Sequence, residues 1–212
     1  MCMIRILVAD DHAVVREGVK RIVADTSDLV VAGEASHSQE VLVKVAAQTC
    51  EVVLLDISMP GRSGLEILQQ LKRAHPTLPV LVFSVHPENQ YALRAFKAGA
   101  SGYLTKDSIP EELVTAIRKV VRGGRYVTPS LAEHLVLEVT TGFDKPPHAS
   151  LSDREYQVLC MLASGKTVTA IAHELSLSVK TVSTHRSRIL GKMHMKTNAE
   201  LMHYALRHGL VE

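Results

Sequence analysis

Asp56 closes the apolar run Val52-Val53-Leu54-Leu55, and four apolar residues followed by an acid suit a strand buried on both faces that delivers a carboxylate at its end. Asp10 and Asp11 close a second run, Ser84 a third and Lys106 a fourth. In an open sheet of parallel strands those ends share one edge, where ligands bind. Three carboxylates meeting there repel one another unless a cation lies among them, and a hard, oxygen-seeking Mg²⁺ that keeps several waters suits such a donor set. An acidic metal site beside a lysine and a hydroxyl is equipped for phosphoryl transfer. Asp56 would be the nucleophile, Lys106 and the metal would neutralise the phosphoryl oxygens, and the Ser84 hydroxyl would hydrogen-bond the transferred group.

The elements that must position these groups follow from the alternation of short apolar runs with helix-period segments. Strands are expected over Ile4–Ala9, Leu29–Gly33, Val52–Leu55, Val80–Ser84 and Gly102–Thr105, with helices near 13–25, 38–48, 63–74, 88–98 and 109–122. Five strand–helix units predict an α/β fold, a doubly wound five-stranded parallel sheet with right-handed crossovers and helices on both faces. Pro60-Gly61 closes the loop after Asp56, and Ser63 is placed to cap the next helix, whose Leu65, Leu68 and Leu71 share one face.

Taken singly, each polar residue has an ordinary alternative. Asp10-Asp11 could cap the first helix, Lys106 could be a solvated charge, and Tyr103 a half-buried strand aromatic. Their joint placement at strand ends favours the site. The histidines His12, His37, His75 and His86 lack metal-ligand spacing and read as loop or surface residues.

At 212 residues the chain suits two domains. Cys2, Cys50 and Cys160 are odd in number and widely spaced, which indicates neither a disulfide framework nor a zinc cluster and fits reduced thiols in the cytoplasm. Neither a signal peptide nor a membrane span is expected, because about 18 consecutive apolar residues occur nowhere. Residues 1–124 have a net charge of 0, residues 125–150 of −1 and residues 151–212 of +3. Any polyanion is therefore expected at the C-terminal part.

With these motifs in order, residues 3–123 resemble the receiver domain of two-component response regulators. The resemblance rests on Asp10-Asp11, Asp56, Ser84 and Lys106 at successive strand ends, on Gly99-Ala100 before the fifth strand and on Tyr103 three residues before Lys106. It implies that Asp56 accepts a phosphoryl group from a sensor histidine kinase. It further implies that Asp10, Asp11, Asp56 and the backbone carbonyl of Ser58 hold Mg²⁺, and that Ser84 and Tyr103 form a switch pair in which Tyr103 swings into space vacated by Ser84. Asp107 stands where many receivers carry proline, and Ser58 and His86 occupy positions that tune phosphoryl lifetime in the family.

After Arg122-Gly123-Gly124-Arg125, Pro129 can open a helix with Leu131, Leu135 and Val139 on one stripe, and Lys145-Pro146-Pro147-His148 reads as an exposed tether. The expected division is a receiver at 1–124, a linker with a helix at 125–150 and an all-α helix-turn-helix domain at 151–212. Ser152 and Glu155 form a capping-box pattern, Gly165 ends that helix, and Ser176-Leu177-Ser178 joins two further helices. On the second of these, Val179, Val182, Ile189, Leu190 and Met193 are expected inward. Lys180, Thr181, Ser183, Thr184, His185, Arg186, Ser187, Arg188 and Lys192 are expected outward, a surface suited to the major groove of double-stranded promoter DNA.

Within that set Lys180, Arg188 and Lys192 are read as phosphate contacts, and Ser183, Thr184 and Ser187 as base readers. Leu151-Ser152-x-Arg154-Glu155, Ile171-Ala172-x-x-Leu175, Thr181-Val182 and His185-Arg186 give residues 151–212 a resemblance to the LuxR/NarL class, with Ser183 where a lysine is usual. The whole chain thus resembles a NarL/FixJ-type response regulator, which implies a homodimer when phosphorylated. The last helix, near Asn198–His208, could supply part of the dimer interface or pack within its own domain.

Two other readings are weaker. A phosphohydrolase with an aspartyl-phosphate intermediate usually has two acids two residues apart on one strand, whereas Asp10 and Asp11 are adjacent and Asp56 stands alone. The chain is therefore not expected to be an enzyme. Gly165-Lys166-Thr167 imitates the tail of a P-loop, but Cys160 stands where its first glycine is required. A constitutive DNA-binding protein, with the first domain serving only dimerisation, would leave the strand-end residues without a use.

Overall fold

The computed structural model describes residues 3–47, 50–59, 63–133 and 146–211. The expected loop residues Pro60-Gly61 and the expected helix positions Leu135 and Val139 lie outside these. The chain divides into two compact units, Met1–Val136 and Leu137–Glu212.

In the first unit, strands β1 (Ile4–Ala9), β2 (Leu29–Ala35), β3 (Val52–Leu55), β4 (Val80–Ser84) and β5 (Gly102–Thr105) alternate with helices α1 (Ala13–Ala24), α2 (Ser38–Ala47), α3 (Gly64–Ala74), α4 (Glu88–Lys97) and α5 (Pro110–Val121). The strands pair in parallel in the order β2-β1-β3-β4-β5. Period-two alternation divides the sheet's side chains between its faces. Ile6, Val8, Leu54, Leu81, Phe83 and Leu104 pack with Val19 and Val23 of α1 and with Leu113, Ile117 and Val120 of α5. Leu7, Val53, Leu55, Val82 and Tyr103, at the alternate positions, are buried as well, as are Val41 of α2, Leu65 and Leu68 of α3 and Ala92 and Ala95 of α4. Apolar burial on both faces is why the strands read as near-continuous hydrophobic runs. The order reverses between β1 and β3, whose carboxyl ends carry the acids.

Past α5 the chain is tied to the same unit. Tyr126 bridges to Gly102 at the outer edge of β5, its N–H donating to the Ser101 carbonyl at 2.9 Å. Thr128 Oγ1 donates to Glu88 Oε2 at 2.5 Å, residues 129–133 are helical, and Leu131 is buried.

The second unit contains a 3₁₀ turn at Pro147–Ser150, then α6 (Asp153–Ala163), α7 (Val168–Glu174), α8 (Val179–Lys192) and α9 (Asn198–Arg207). Its core comprises Leu151, Tyr156, Val158, Leu159, Leu162, Ile171, Leu175, Val182, Ile189, Met193, Leu201 and Leu210. Each helix start is locally encoded. Ser152 and Glu155 complete a capping box, and Thr167, Ser178 and Thr197 accept from the N–H three residues on. His148, expected in an exposed tether, lies with Tyr156, Tyr204 and His208, its Nδ1 2.8 Å from the Tyr204 hydroxyl. Segment 125–150 is thus fastened at both ends, to the first unit through Tyr126, Thr128 and Leu131 and to the second through His148. Among the described residues no helix is long and apolar enough to cross a membrane.

Candidate functional site

The carboxyl ends of β1, β3, β4 and β5 bring Asp10, Asp56, Ser84 and Lys106 together, all but Lys106 almost completely buried. Asp56 Oδ1 accepts the Ser58 N–H at 2.8 Å and Oδ2 accepts from Lys106 Nζ at 2.6 Å. Lys106 Nζ is also 2.6 Å from Asp10 Oδ2, so one ammonium bridges two buried carboxylates. Burial pushes the Lys106 ammonium down, but Asp56 and Asp10 outweigh it and hold the group above the ordinary lysine value. Backbone bonds fix the cluster to the sheet: the Asp56 N–H donates to the Ala9 carbonyl, the Asp10 N–H to Ala35, and the Lys106 N–H to Ser84. Arg16 of α1 donates to the Asp10 carbonyl at 2.7 Å.

The loop after Asp56 requires glycine at its end. A Cβ on Gly64 would stand 2.3 Å from the Ile57 Cα and 2.8 Å from its carbonyl oxygen, so only a residue without one lets α3 start this close to the acid-bearing strand. Ser63 takes the N-cap position as expected, but makes no side-chain cap hydrogen bond.

Asp10, Asp11, His12 and Asp56 place ligand-type atoms within 4.8 Å of one another. Among the described residues, Asp10 Oδ2 lies beside Lys106 Nζ and Asp11 Oδ1 lies 2.9 Å from His12 Nδ1. A pair of carboxylate oxygens without well-formed hydrogen bonds fits a hard divalent cation. Spacing in sequence set His12 aside, because it matched no metal-ligand pattern. The structure leaves it exposed at the N-cap of α1, with its imidazole against its sequence neighbour Asp11.

Ser84 Oγ accepts the His86 N–H at 3.2 Å. Tyr103 is fully buried, and its hydroxyl donates to the His86 carbonyl at 2.9 Å. In this structure the ring lies inside, and burial first of all pushes its phenol well above the usual range. His86, read from sequence as a loop histidine, stacks on Tyr91 with ring centroids 4.4 Å apart. Peptide bonds among the described residues are all trans, including the one after Lys106.

In the second unit α7, the turn Leu175–Ser178 and α8 form the helix-turn-helix, with Ser176 at a left-handed φ of 53°. The nine residues expected on the outer surface of α8 divide. Lys180, Ser183, Thr184, Ser187 and Arg188 are exposed along one stripe. Thr181 is drawn toward the N-cap, its hydroxyl 2.8 Å from Ser178 Oγ. His185 and Arg186 are half-buried, and Arg186 Nε donates to Asn198 Oδ1 at 2.6 Å. Lys192 is exposed, but its ammonium lies 2.6 Å from Glu155 Oε2, the capping-box carboxylate of α6. Burial alone would push Glu155 up, yet Lys192 and Ser152 outweigh it and hold the carboxyl below the usual glutamate range. Val179, expected inward, is 49% exposed, because at the first position of the helix it precedes the turn where α8 begins to pack. The Thr184 and Ser187 hydroxyls donate to the carbonyls four residues back.

Residues 6–118 match the response regulator receiver domain, and residues 149–205 match the luxR family of bacterial regulatory proteins. The chain is 39% identical to the response regulator UvrY of Escherichia coli K12 over 98% of its length and 96% of that protein's. It is 41% identical to the response regulator GacA of Pseudomonas protegens over 99% of both. This chain belongs to the response-regulator family. Among solved structures, the RcsB response regulator of Salmonella typhimurium superposes with a TM-score of 0.71 over 98% of this chain and 99% of that one, at 24% identity, a likeness of fold. As a response regulator of the NarL/FixJ type, the protein joins a receiver to a LuxR-type helix-turn-helix and acts as a phosphorylation-dependent DNA-binding regulator of transcription.

Proposed function

We propose that Asp56 is the phosphoacceptor and that a sensor histidine kinase supplies the phosphoryl group. The observation that carries this reading is the Lys106 ammonium 2.6 Å from both Asp56 Oδ2 and Asp10 Oδ2 at the shared strand edge. A carboxylate oxygen of Asp56 attacks phosphorus in line, the P–N bond of the donor phosphohistidine breaks, and the electron pair leaves with the imidazole nitrogen. Lys106 offsets the charge gained at Asp56, and the Ser84 hydroxyl, whose oxygen accepts the His86 N–H, can donate to a phosphoryl oxygen. Asp10, Asp11, Asp56 and the Ser58 carbonyl would hold Mg²⁺, which supplies further neutralisation of the phosphoryl oxygens. Ser84 and Tyr103 share the backbone of His86 as hydrogen-bond partner, so a hydroxyl drawn to the phosphoryl group alters the segment that carries both.

DNA reading is assigned to α8. Lys180 and Arg188 contact phosphates, and Ser183, Thr184 and Ser187 face base edges. Lys192 and Arg186 serve first to hold the domain together through Glu155 and Asn198, and Thr181 and His185 support the helix from its less exposed side. The functional division is a receiver at 1–124, a connecting segment at 125–150 and the DNA-binding domain at 151–212, and the boundary between the two compact units falls within that connecting segment. A homodimer of the phosphorylated protein in the cytoplasm, on paired half-sites, gives one recognition helix per half-site. The protein's product is altered transcription, with no external substrate turned over as by an enzyme.

Intact-mass measurement after incubation with a small acyl phosphate and Mg²⁺ tests the acceptor. Wild type gains one phosphoryl mass that hydroxylamine removes, and Asp56→Asn gains none. An equal gain in Asp56→Asn would place the acceptor elsewhere.

A further inference from the structure

The exposed stripe of α8 runs through Val179, Lys180, Ser183, Thr184, Ser187, Arg188 and Gly191, and Val179 is its single large apolar side chain. Isolated apolar residues are ordinary on protein surfaces. What distinguishes Val179 is its place: the first residue of the second helix of a helix-turn-helix, where side chains approach base edges most closely. Helix stability does not ask for it, since a β-branched residue is a weaker helix former than alanine. The N-cap before it is already secured, with Ser178 Oγ accepting the Thr181 N–H at 3.0 Å. One turn further on, Ser183 lies on the same line of the stripe, and Lys180 is adjacent, so an apolar group sits among a cation and hydroxyls.

In the major groove the apolar feature of a base pair is the thymine 5-methyl group, which a valine methyl can cover while neighbouring hydroxyls meet polar base edges. We infer that Val179 is a specificity-determining residue that reads a thymine methyl in each half-site. The inference rests on the DNA-binding role assigned to α8 and adds to it a position no hydrogen-bonding pattern would reveal.

The test uses the full-length phosphorylated protein and a duplex site selected from a random-sequence pool. Each thymine in the site is replaced in turn by deoxyuridine, which removes the methyl group and keeps every hydrogen-bonding atom. Wild type is expected to lose about fourfold in affinity at one thymine per half-site, the weight of one buried methyl group. Val179→Ala should be insensitive to that replacement while still binding the site, and Val179→Ile should keep the sensitivity. Because Val179 is exposed, unchanged thermal unfolding of both variants is expected. No sensitive thymine, or the same sensitivity in wild type and Val179→Ala, would overturn the inference while leaving DNA binding by α8 in place. Failure to select any duplex would overturn both.

Discussion

Single side chains carry the chemistry, and two of them show how much an ion pair means when one partner is buried. Lys106 is the cation shared by Asp10 and Asp56, so Lys106→Met leaves two buried carboxylates facing each other. Loss of the shared partner should destabilise the receiver by about 3–5 kcal/mol in urea unfolding and abolish the phosphoryl mass gain. Retained stability and uptake would mean that the ammonium is incidental. Glu155 titrates below the usual glutamate range when folded. Its contribution is thus fully present above that range and is lost as pH falls through the lowered value, because the unfolded carboxyl takes its proton first. Unfolding followed through the second unit should lose stability on acidification from pH 6 in wild type, and less steeply in Glu155→Gln. Lys192→Ala should cost only about 0.5–1 kcal/mol, since that side chain is 42% exposed and solvent screens its charge.

Elements were the scale most legible in sequence. β1, β3, β4 and β5 end where their apolar runs end; β2 runs two residues past Gly33 because Glu34 and Ala35 continue to pair with Val8 and Ala9. The meeting of strand-end residues was equally legible, since Asp10, Asp56 and Ser84 are each the first polar residue after a buried run and Lys106 directly follows β5. What escaped was tertiary. Periodicity assigned Val179 inward without knowing that α8 starts a turn before its packing begins, and it assigned Arg186 and Lys192 outward without showing Asn198 and Glu155 beside them. His12, read as a loop or surface residue, is exposed at the N-cap of α1, with its imidazole beside its neighbour Asp11. The need for glycine at 64 likewise depends on the approach of Ile57. Gly64→Ala should destabilise the receiver by about 1–3 kcal/mol through forced displacement of backbone, and slow phosphoryl uptake at Asp56. Wild-type unfolding and uptake rates in that variant would show that the loop yields freely.

At the scale of the whole molecule, the question is how a charge added at one strand edge reaches a helix in the other unit. Tyr103 is the residue most directly joined to the Ser84–His86 segment, through the His86 carbonyl. Tyr103→Ala should still take up one phosphoryl group and fail to gain DNA affinity; a full gain would remove Tyr103 from the coupling. The central claim is that phosphoryl uptake at Asp56 sets DNA binding. Its most direct measurement titrates one selected duplex with wild type and Asp56→Asn, each with Mg²⁺, with and without the acyl phosphate, alongside intact mass. Tighter binding in wild type only when the mass has risen by one phosphoryl group, with Asp56→Asn unchanged by the donor, is the predicted result. Equal affinity of phosphorylated and unphosphorylated wild type, or a donor-dependent gain in Asp56→Asn, would contradict it.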